Sequence, residues 1–221
     1  MRKFLSFKFI LLISLLVQSE KLQVSVYYEA LCVDSVYFFT RQLIPTYNEY
    51  GDKMDLKLIP YGKASHYWNK DENKYEFLCQ HGPNECLLNK IHACALDVLP
   101  FQSSLTFINC LMGKFHEDMD ETIRHCSPSD VTELEKCMKT RKDELLAGHG
   151  NATMKIGLTF VPTIVPQNDT CYKRRDSLYS NFRQAFRDEY AAKFQKYPDD
   201  EELNEIQKTK VSNLCEPVIP H

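Results

Sequence analysis

After its first nineteen residues the chain has no long apolar run. Its body is therefore not expected to cross a bilayer, which takes about 20 consecutive apolar residues. It also lacks a basic excess: 27 Lys and Arg stand against 30 Asp and Glu, a formal charge of −3. The one basic cluster, Lys173-Arg174-Arg175, reads as a solvated turn, so no nucleic-acid partner is expected. Internal repeats and low-complexity tracts are absent. The terminal His221 is not part of a Lys-Asp-Glu-Leu-type retention signal, which argues against residence in the endoplasmic reticulum.

What is present points to the secretory route. Arg2, Lys3 and Lys8 precede an apolar core from Phe9 to Val17, followed by Val17-Gln18-Ser19, the layout of a signal peptide over residues 1–19. Its removal takes away three basic residues and no acidic ones, leaving 24 basic against 30 acidic residues. About 200 residues remain, enough for one domain with a sizeable core. Asn151-Ala152-Thr153 and Asn168-Asp169-Thr170 are glycosylation acceptor triplets, expected to carry glycans at Asn151 and Asn168. Nine cysteines in a secreted chain suggest four disulfides and one remaining thiol.

Periodicity organises the chain. Lys21 to Tyr28 alternates Leu22, Val24 and Val26 with polar residues, as a strand does. Val36, Phe39, Leu43 and Tyr47 then recur at helical spacing to about Tyr50, with a kink expected at Pro45. Met54 to Pro60 reads as a second strand, which completes a βαβ-like order. From Pro83 to about Lys142 the pattern is helical. One helix carries Leu87, Ile91, Cys94 and Val98, and a second runs from Leu105 to Met119. A third opens at Ser127-Pro128-Ser129-Asp130. Leu158 to Pro166 restores strand character, and about Asp176 to Phe194 reads as a final helix. The expected organisation is a single domain over 20–221, with a helical insertion over about 79–150 and a tail from about 196 to 221.

Cys32 differs from the other cysteines by position. It ends the first strand run and opens the first helix in the tetrapeptide Cys32-Val33-Asp34-Ser35, where thioredoxin-type oxidoreductases carry a redox motif. Cys79, Cys86, Cys94, Cys110, Cys126, Cys137, Cys171 and Cys215 are assigned to structural disulfides. Cys86 and Cys94 are about 12 Å apart along one helix, beyond the roughly 7 Å a disulfide closes, and Cys126 with Cys137 looks similarly strained. Of the other pairings, many remain open; Cys171 with Cys215 is one that would tie down the tail. Cys79, His81, Cys86, His92 and Cys94 include zinc-ligand types, but cysteines two to four residues apart are missing, so disulfides are expected and no metal.

The segment from Cys79 to Cys94, Cys79-Gln80-His81-Gly82 followed by Glu85-Cys86, Asn89 and Cys94, closely resembles the signature of the gamma-interferon-inducible lysosomal thiol reductase family. Tyr27-Tyr28-Glu29-Ala30-Leu31-Cys32, Ile59-Pro60-Tyr61-Gly62 and Val161-Pro162 extend the resemblance to about Val165. It implies an α/β, thioredoxin-like domain with a helical, disulfide-stapled insertion between the second and third core strands. It also implies soluble reductases of protein disulfides, secreted or lysosomal, that work without a cofactor. By the same resemblance Pro162 is expected to be a cis proline facing Cys32 and to support substrate binding.

Ser35 stands where the family's second cysteine belongs, so this is a Cys-x-x-Ser member. The unpaired N–H groups and dipole of a helix N-terminus favour a thiolate at Cys32, while Asp34 disfavours a second negative charge beside it. The thiolate attacks a disulfide and forms a mixed disulfide. Ser35 has no thiol to resolve the adduct, although its hydroxyl can donate a hydrogen bond toward the thiolate. Resolution then falls to an external small thiol or to a thiol of the disulfide-containing protein substrate. The alternative is a catalytically impaired secreted glycoprotein that acts by binding. A cysteine protease is disfavoured because no Cys-Gly-x-Cys-Trp environment surrounds Cys32. The histidines, His81 at the helix entry included, read as structural.

Overall fold

The computed structural model describes residues 20–167, 177–199 and 203–212. The signal-peptide reading, Asn168, the basic cluster at 173–175 and the Cys171–Cys215 pairing lie outside these residues.

Strand β1 (Leu22–Tyr28) lies at the centre of a three-stranded sheet among the described residues. β2 (Met54–Pro60) runs parallel to it, with Val24 opposite Leu56 and Val26 opposite Leu58. β5 (Thr163–Pro166) runs antiparallel, with Val26 opposite Ile164. Leu22, Val24, Val26 and Tyr28 are all buried. A strand covered on both faces favours a near-continuous apolar run over strict alternation, which is why its later residues turn aromatic.

The chain leaves β1 into a continuous helical stretch: α1 (Val33–Phe38), a π-helical turn (Phe39–Leu43) and α2 (Ile44–Tyr50). Pro45 lies in the first turn of α2. Because proline lacks the N–H that an unbroken α-helix would use there, the wider turn just before it accommodates the defect. Phe38, Phe39 and Leu43 point into the main core beside Phe182, Phe186 and Tyr190 of α9 (Phe182–Phe194). Each such fully buried side chain contributes about 1.5–3 kcal/mol.

Between β2 and β5 lie a hairpin and five helices. The hairpin, β3 (Ser65–Asn69) and β4 (Lys74–Leu78), pairs Tyr67 with Glu76 and Trp68 with Tyr75. Sequence periodicity missed it because its outward positions carry aromatics and its partners are mixed. The local signal was its turn, where Asn69 Oδ1 accepts from the N–H groups of Asp71 and Glu72. The helices are α3 (Pro83–Val98), α4 (Phe101–Gly113), α5 (Met119–Cys126), α6 (Thr132–Thr140) and α7 (Lys142–Ile156). A second core, with Leu88, Ile91, Phe107, Leu111 and Leu134, holds them together.

Several expected boundaries move. The helix expected to reach Met119 ends at Gly113, and Asp118 starts α5 by accepting from Glu121 N–H at 2.9 Å. α6 begins at Thr132 and not at Ser127, with Asp130 accepting from Thr132 N–H. β5 is confined to Thr163–Pro166. The final helical run is split into α8 (Ser177–Ser180) and α9, because Asn181 caps α9 through Gln184 N–H. α10 (Glu205–Ser212) follows.

Three disulfides staple the helical block. Cys79–Cys86 closes the entry to α3, Cys94–Cys137 joins α3 to α6, and Cys110–Cys126 joins α4 to α5. The result is an α/β, thioredoxin-like domain with its helical insertion between the second and third strands of the core sheet.

Candidate active site

Cys32 is the free cysteine among the described residues and is partly exposed. Its backbone is extended (φ −69°, ψ 121°) at the N-cap of α1, and its carbonyl accepts from Val36 N–H at 2.9 Å. The strand thus delivers the thiol directly to the start of a helix. Across from it, the Val161–Pro162 peptide bond is cis. Cys32 Sγ lies 3.9 Å from Val161 O, so topology brings together two positions 129 residues apart in sequence.

Ser35 is buried, and its Oγ accepts from Glu29 N–H at 3.3 Å. The hydroxyl expected to serve the thiol is therefore engaged as an acceptor by the strand end. Its proton remains available to donate. Asp34 is exposed and accepts from the Tyr179 hydroxyl at 3.3 Å. Burial, followed by the charge of Asp34, raises the Tyr179 pKa. The neighbouring surface is apolar: Val33, Tyr37 and Phe160 are all substantially exposed, and Tyr37 meets Tyr179 at 6.3 Å between ring centroids. A cavity of about 390 Å³ opens one residue before Cys32, with Leu31, Leu88 and Phe115 in its lining.

The segment from Cys79 to Cys94 acts on this site from below. Asn89 Oδ1 accepts from Ala30 N–H at 3.0 Å. Glu29 is buried, with Oε1 accepting from Lys63 N–H at 2.7 Å. His81 Nδ1 stands 2.6 Å from Oε2 of buried Glu85 and 3.5 Å from Glu29 Oε2. Burial raises the Glu29 pKa. The Lys63 N–H opposes that shift, Glu85 adds to it, and the charges of His81 and Lys63 oppose it. One turn further on, His92 Nδ1 lies 3.2 Å from the Tyr28 hydroxyl. Tyr28 and Ala30 are each hydrogen-bonded to a side chain of this segment, and the Glu29 carboxylate between them faces His81. His81, at the entry to α3, thus lies between two buried carboxylates.

Gly62 explains why the carboxylate fits. Its φ is +60°, and a Cβ built there would come within 2.2 Å of Glu29 Cγ. Glycine is needed both for the left-handed turn and for the close approach.

Sequence reasoning missed Glu29, Asn89, His92 and Tyr179 as neighbours of the site. For the first three the only signal was membership of the two motif segments; Tyr179 gave none. Asn151 is exposed on α7, where the Thr153 hydroxyl donates to His149 O at 2.9 Å. Among the described residues no helix is long and apolar enough to cross a membrane.

Comparison with known proteins places this geometry among relatives. The family model described as gamma interferon inducible lysosomal thiol reductase (GILT) matches residues 23–130. GILT-like protein 1 of Drosophila melanogaster is 36% identical over 174 residues, covering 70% of this chain and 69% of that protein. GILT-like protein 2 of the same organism is 33% identical over 183 residues, covering 81% and 85%. Among solved structures, Proteus mirabilis ScsC in a transitional conformation superposes with a TM-score of 0.48 at 12% identity, over 69% of this chain and 61% of that one.

Proposed function

The chain belongs to the gamma interferon inducible lysosomal thiol reductase family, and from that premise we propose a thiol–disulfide oxidoreductase acting on protein disulfides through the single thiol of Cys32. The observation that carries this reading is the placement of a free, partly exposed cysteine at a helix N-cap, opposite the cis Val161–Pro162 bond.

The Cys32 thiolate attacks one sulfur of a substrate disulfide. A Cys32–substrate disulfide forms and the second substrate sulfur leaves as a thiolate. The exposed rim of Val33, Tyr37 and Phe160 supports apolar side chains of the substrate. Pro162 positions the strand entry against which substrate backbone lies. Ser35 has no sulfur, so a small-molecule thiol such as cysteine or glutathione attacks the Cys32 sulfur of the mixed disulfide. This releases the second substrate thiol and leaves Cys32 bonded to the small thiol; a second small thiol then frees Cys32. A substrate's own thiol attacking the substrate sulfur of the mixed disulfide frees Cys32 in one step, which gives isomerisation in place of net reduction. Net reduction of one substrate disulfide consumes two external thiols, whose sulfurs end as a disulfide.

Residues 1–19 serve as the leader, and glycans at Asn151 and Asn168 suit a secreted or lysosomal protein. The test follows reduction of a protein disulfide at mildly acidic pH, with and without excess small thiol. Parent, Cys32→Ser and Ser35→Cys proteins are compared. Thiol-dependent activity in the parent, lost in Cys32→Ser, is expected. Equality of parent and Cys32→Ser under every condition would remove the enzymatic reading and leave the binding-protein alternative.

A further inference from the structure

We propose that Glu29, His81 and Glu85 form a binding site for a divalent transition cation, zinc being the best match. Their donor atoms lie within 4.8 Å of one another. Both carboxylates are completely buried, whereas the imidazole is 42% exposed. The trio therefore has two buried carboxylate walls and one side open to solvent, by which an ion can enter and on which a water can complete the coordination.

Acidic clusters on a protein surface are common and mean little. This one differs in its innermost atom. Glu29 Oε2 has no hydrogen-bond partner despite full burial, and His81 Nδ1 faces it at 3.5 Å. A buried carboxylate oxygen without a hydrogen bond costs several kcal/mol unless something compensates it. Its sister oxygen is satisfied by Lys63 N–H, so the carboxylate is oriented, with one oxygen anchored and the other aimed at the imidazole.

The distances suit a small cation. Zinc holds oxygen and nitrogen ligands at about 2.0–2.2 Å in a tetrahedron, which places neighbouring donors roughly 3.4 Å apart. The Glu29–His81 separation of 3.5 Å is already close to that value. The Glu85–His81 pair, hydrogen-bonded at 2.6 Å, must open by roughly 1 Å to reach the same spacing. On metal binding the proton of that hydrogen bond leaves to solvent. Imidazole with carboxylates favours zinc or its borderline neighbours over calcium or magnesium, which prefer all-oxygen shells. Cys79, Cys86 and Cys94, the other ligand types in this segment, are consumed by disulfides and take no part.

The position gives such an ion a consequence. Glu29 is three residues before Cys32, and its N–H is the donor to Ser35 Oγ. A bound cation would fix the strand end, the first turn of α1 and the entry to α3 as one unit.

The test is titration of the purified, metal-stripped full chain with cobalt(II), followed by its visible absorption and by displacement with zinc. Parent, His81→Ala, Glu29→Gln and Cys32→Ser proteins are compared, each first checked for native circular dichroism. One tetrahedral cobalt per parent chain is expected, displaced by zinc, with affinity reduced at least about tenfold in His81→Ala and unchanged in Cys32→Ser. His81 is partly exposed, so its removal keeps the test valid if Glu29→Gln does not fold. Failure of the folded parent to take up stoichiometric cobalt overturns the proposal. So does binding unaffected by His81→Ala, or binding lost in Cys32→Ser with a thiolate charge-transfer band in the parent.

Discussion

His92 gives the molecule a built-in cost at acidic pH. Its side chain is completely buried in α3, stacked on Tyr28 at 5.8 Å, with Nδ1 against the Tyr28 hydroxyl and no hydrogen-bond partner on Nε2. Burial lowers its pKa from 6.5 to about 3. The sign follows from linkage: between these values the unfolded chain binds a proton that the folded chain refuses, so stability is lost as pH falls. The loss begins near pH 6.5 and saturates near pH 3. At about 1.4 kcal/mol per pH unit, lowering the pH from neutrality to about 5 removes roughly 2 kcal/mol through this residue alone. His149, partly buried and facing the Lys57 charge, is lowered to about 4 and adds to the loss, by less because it keeps some solvent contact. Against a typical total of about 5–15 kcal/mol, this is a substantial share.

Urea unfolding of parent and His92→Gln proteins, disulfides intact, at a series of pH values measures the effect. The stability difference between the two is expected to shift by about 2 kcal/mol in favour of His92→Gln between neutral pH and about pH 5. The absolute difference at neutral pH is immaterial, because only its slope reports the imidazole. A parallel pair of curves would refute the reasoning, since His92 would then titrate normally in the native state. A nuclear magnetic resonance titration in which the His92 ring signal moves near its ordinary pKa of about 6.5 would refute it equally.

Other predictions are more direct. Thiol labelling of the native protein should modify one cysteine, Cys32, identified by peptide mass. Gly62→Ala should cost about 2–4 kcal/mol in chemical denaturation, from the left-handed backbone and the clash with Glu29. Paired replacement of disulfide cysteines by alanine should rank by loop length. The sequence separations are 43 for Cys94–Cys137, 16 for Cys110–Cys126 and 7 for Cys79–Cys86. These correspond to losses of about 4, 3 and 2 kcal/mol from chain entropy, read as shifts in denaturation midpoint.

Local chemistry decided which elements were legible in the sequence. β1, the following helix and β2 could be read because apolar spacing and the Pro60-Tyr61-Gly62 stop are local. The exclusion of a Cys86–Cys94 bridge followed from helix rise alone, whereas the partners of both cysteines depended on where α6 and the loop before α3 pack. The β3–β4 hairpin escaped because exposed aromatics such as Tyr67 and Trp68 blur the alternation that marks a half-buried strand. At the site, Cys32 was visible from its position at a strand end. The buried trio of Glu29, His81 and Glu85 was not. A glutamate three residues before a cysteine reads as solvated until the turn at Gly62 and the entry to α3 close over it.

The same packing bears on the meaning of Ser35. A serine three residues after Cys32 invites reading as a simple deletion of a thiol, but here the oxygen has its own structural task. Glu29 N–H is buried and Ser35 Oγ is its acceptor. Sulfur is a weak acceptor, so Ser35→Cys leaves that N–H poorly satisfied, at a cost of about 1–3 kcal/mol. Gain and loss should therefore occur together. The variant should reduce protein disulfides with less dependence on added thiol, because the introduced thiol can attack the mixed disulfide on Cys32, and it should unfold at lower urea than the parent. If instead it gains turnover with no loss of stability, the Glu29–Ser35 hydrogen bond contributes nothing to the fold. In that case the serine is a missing thiol and no more.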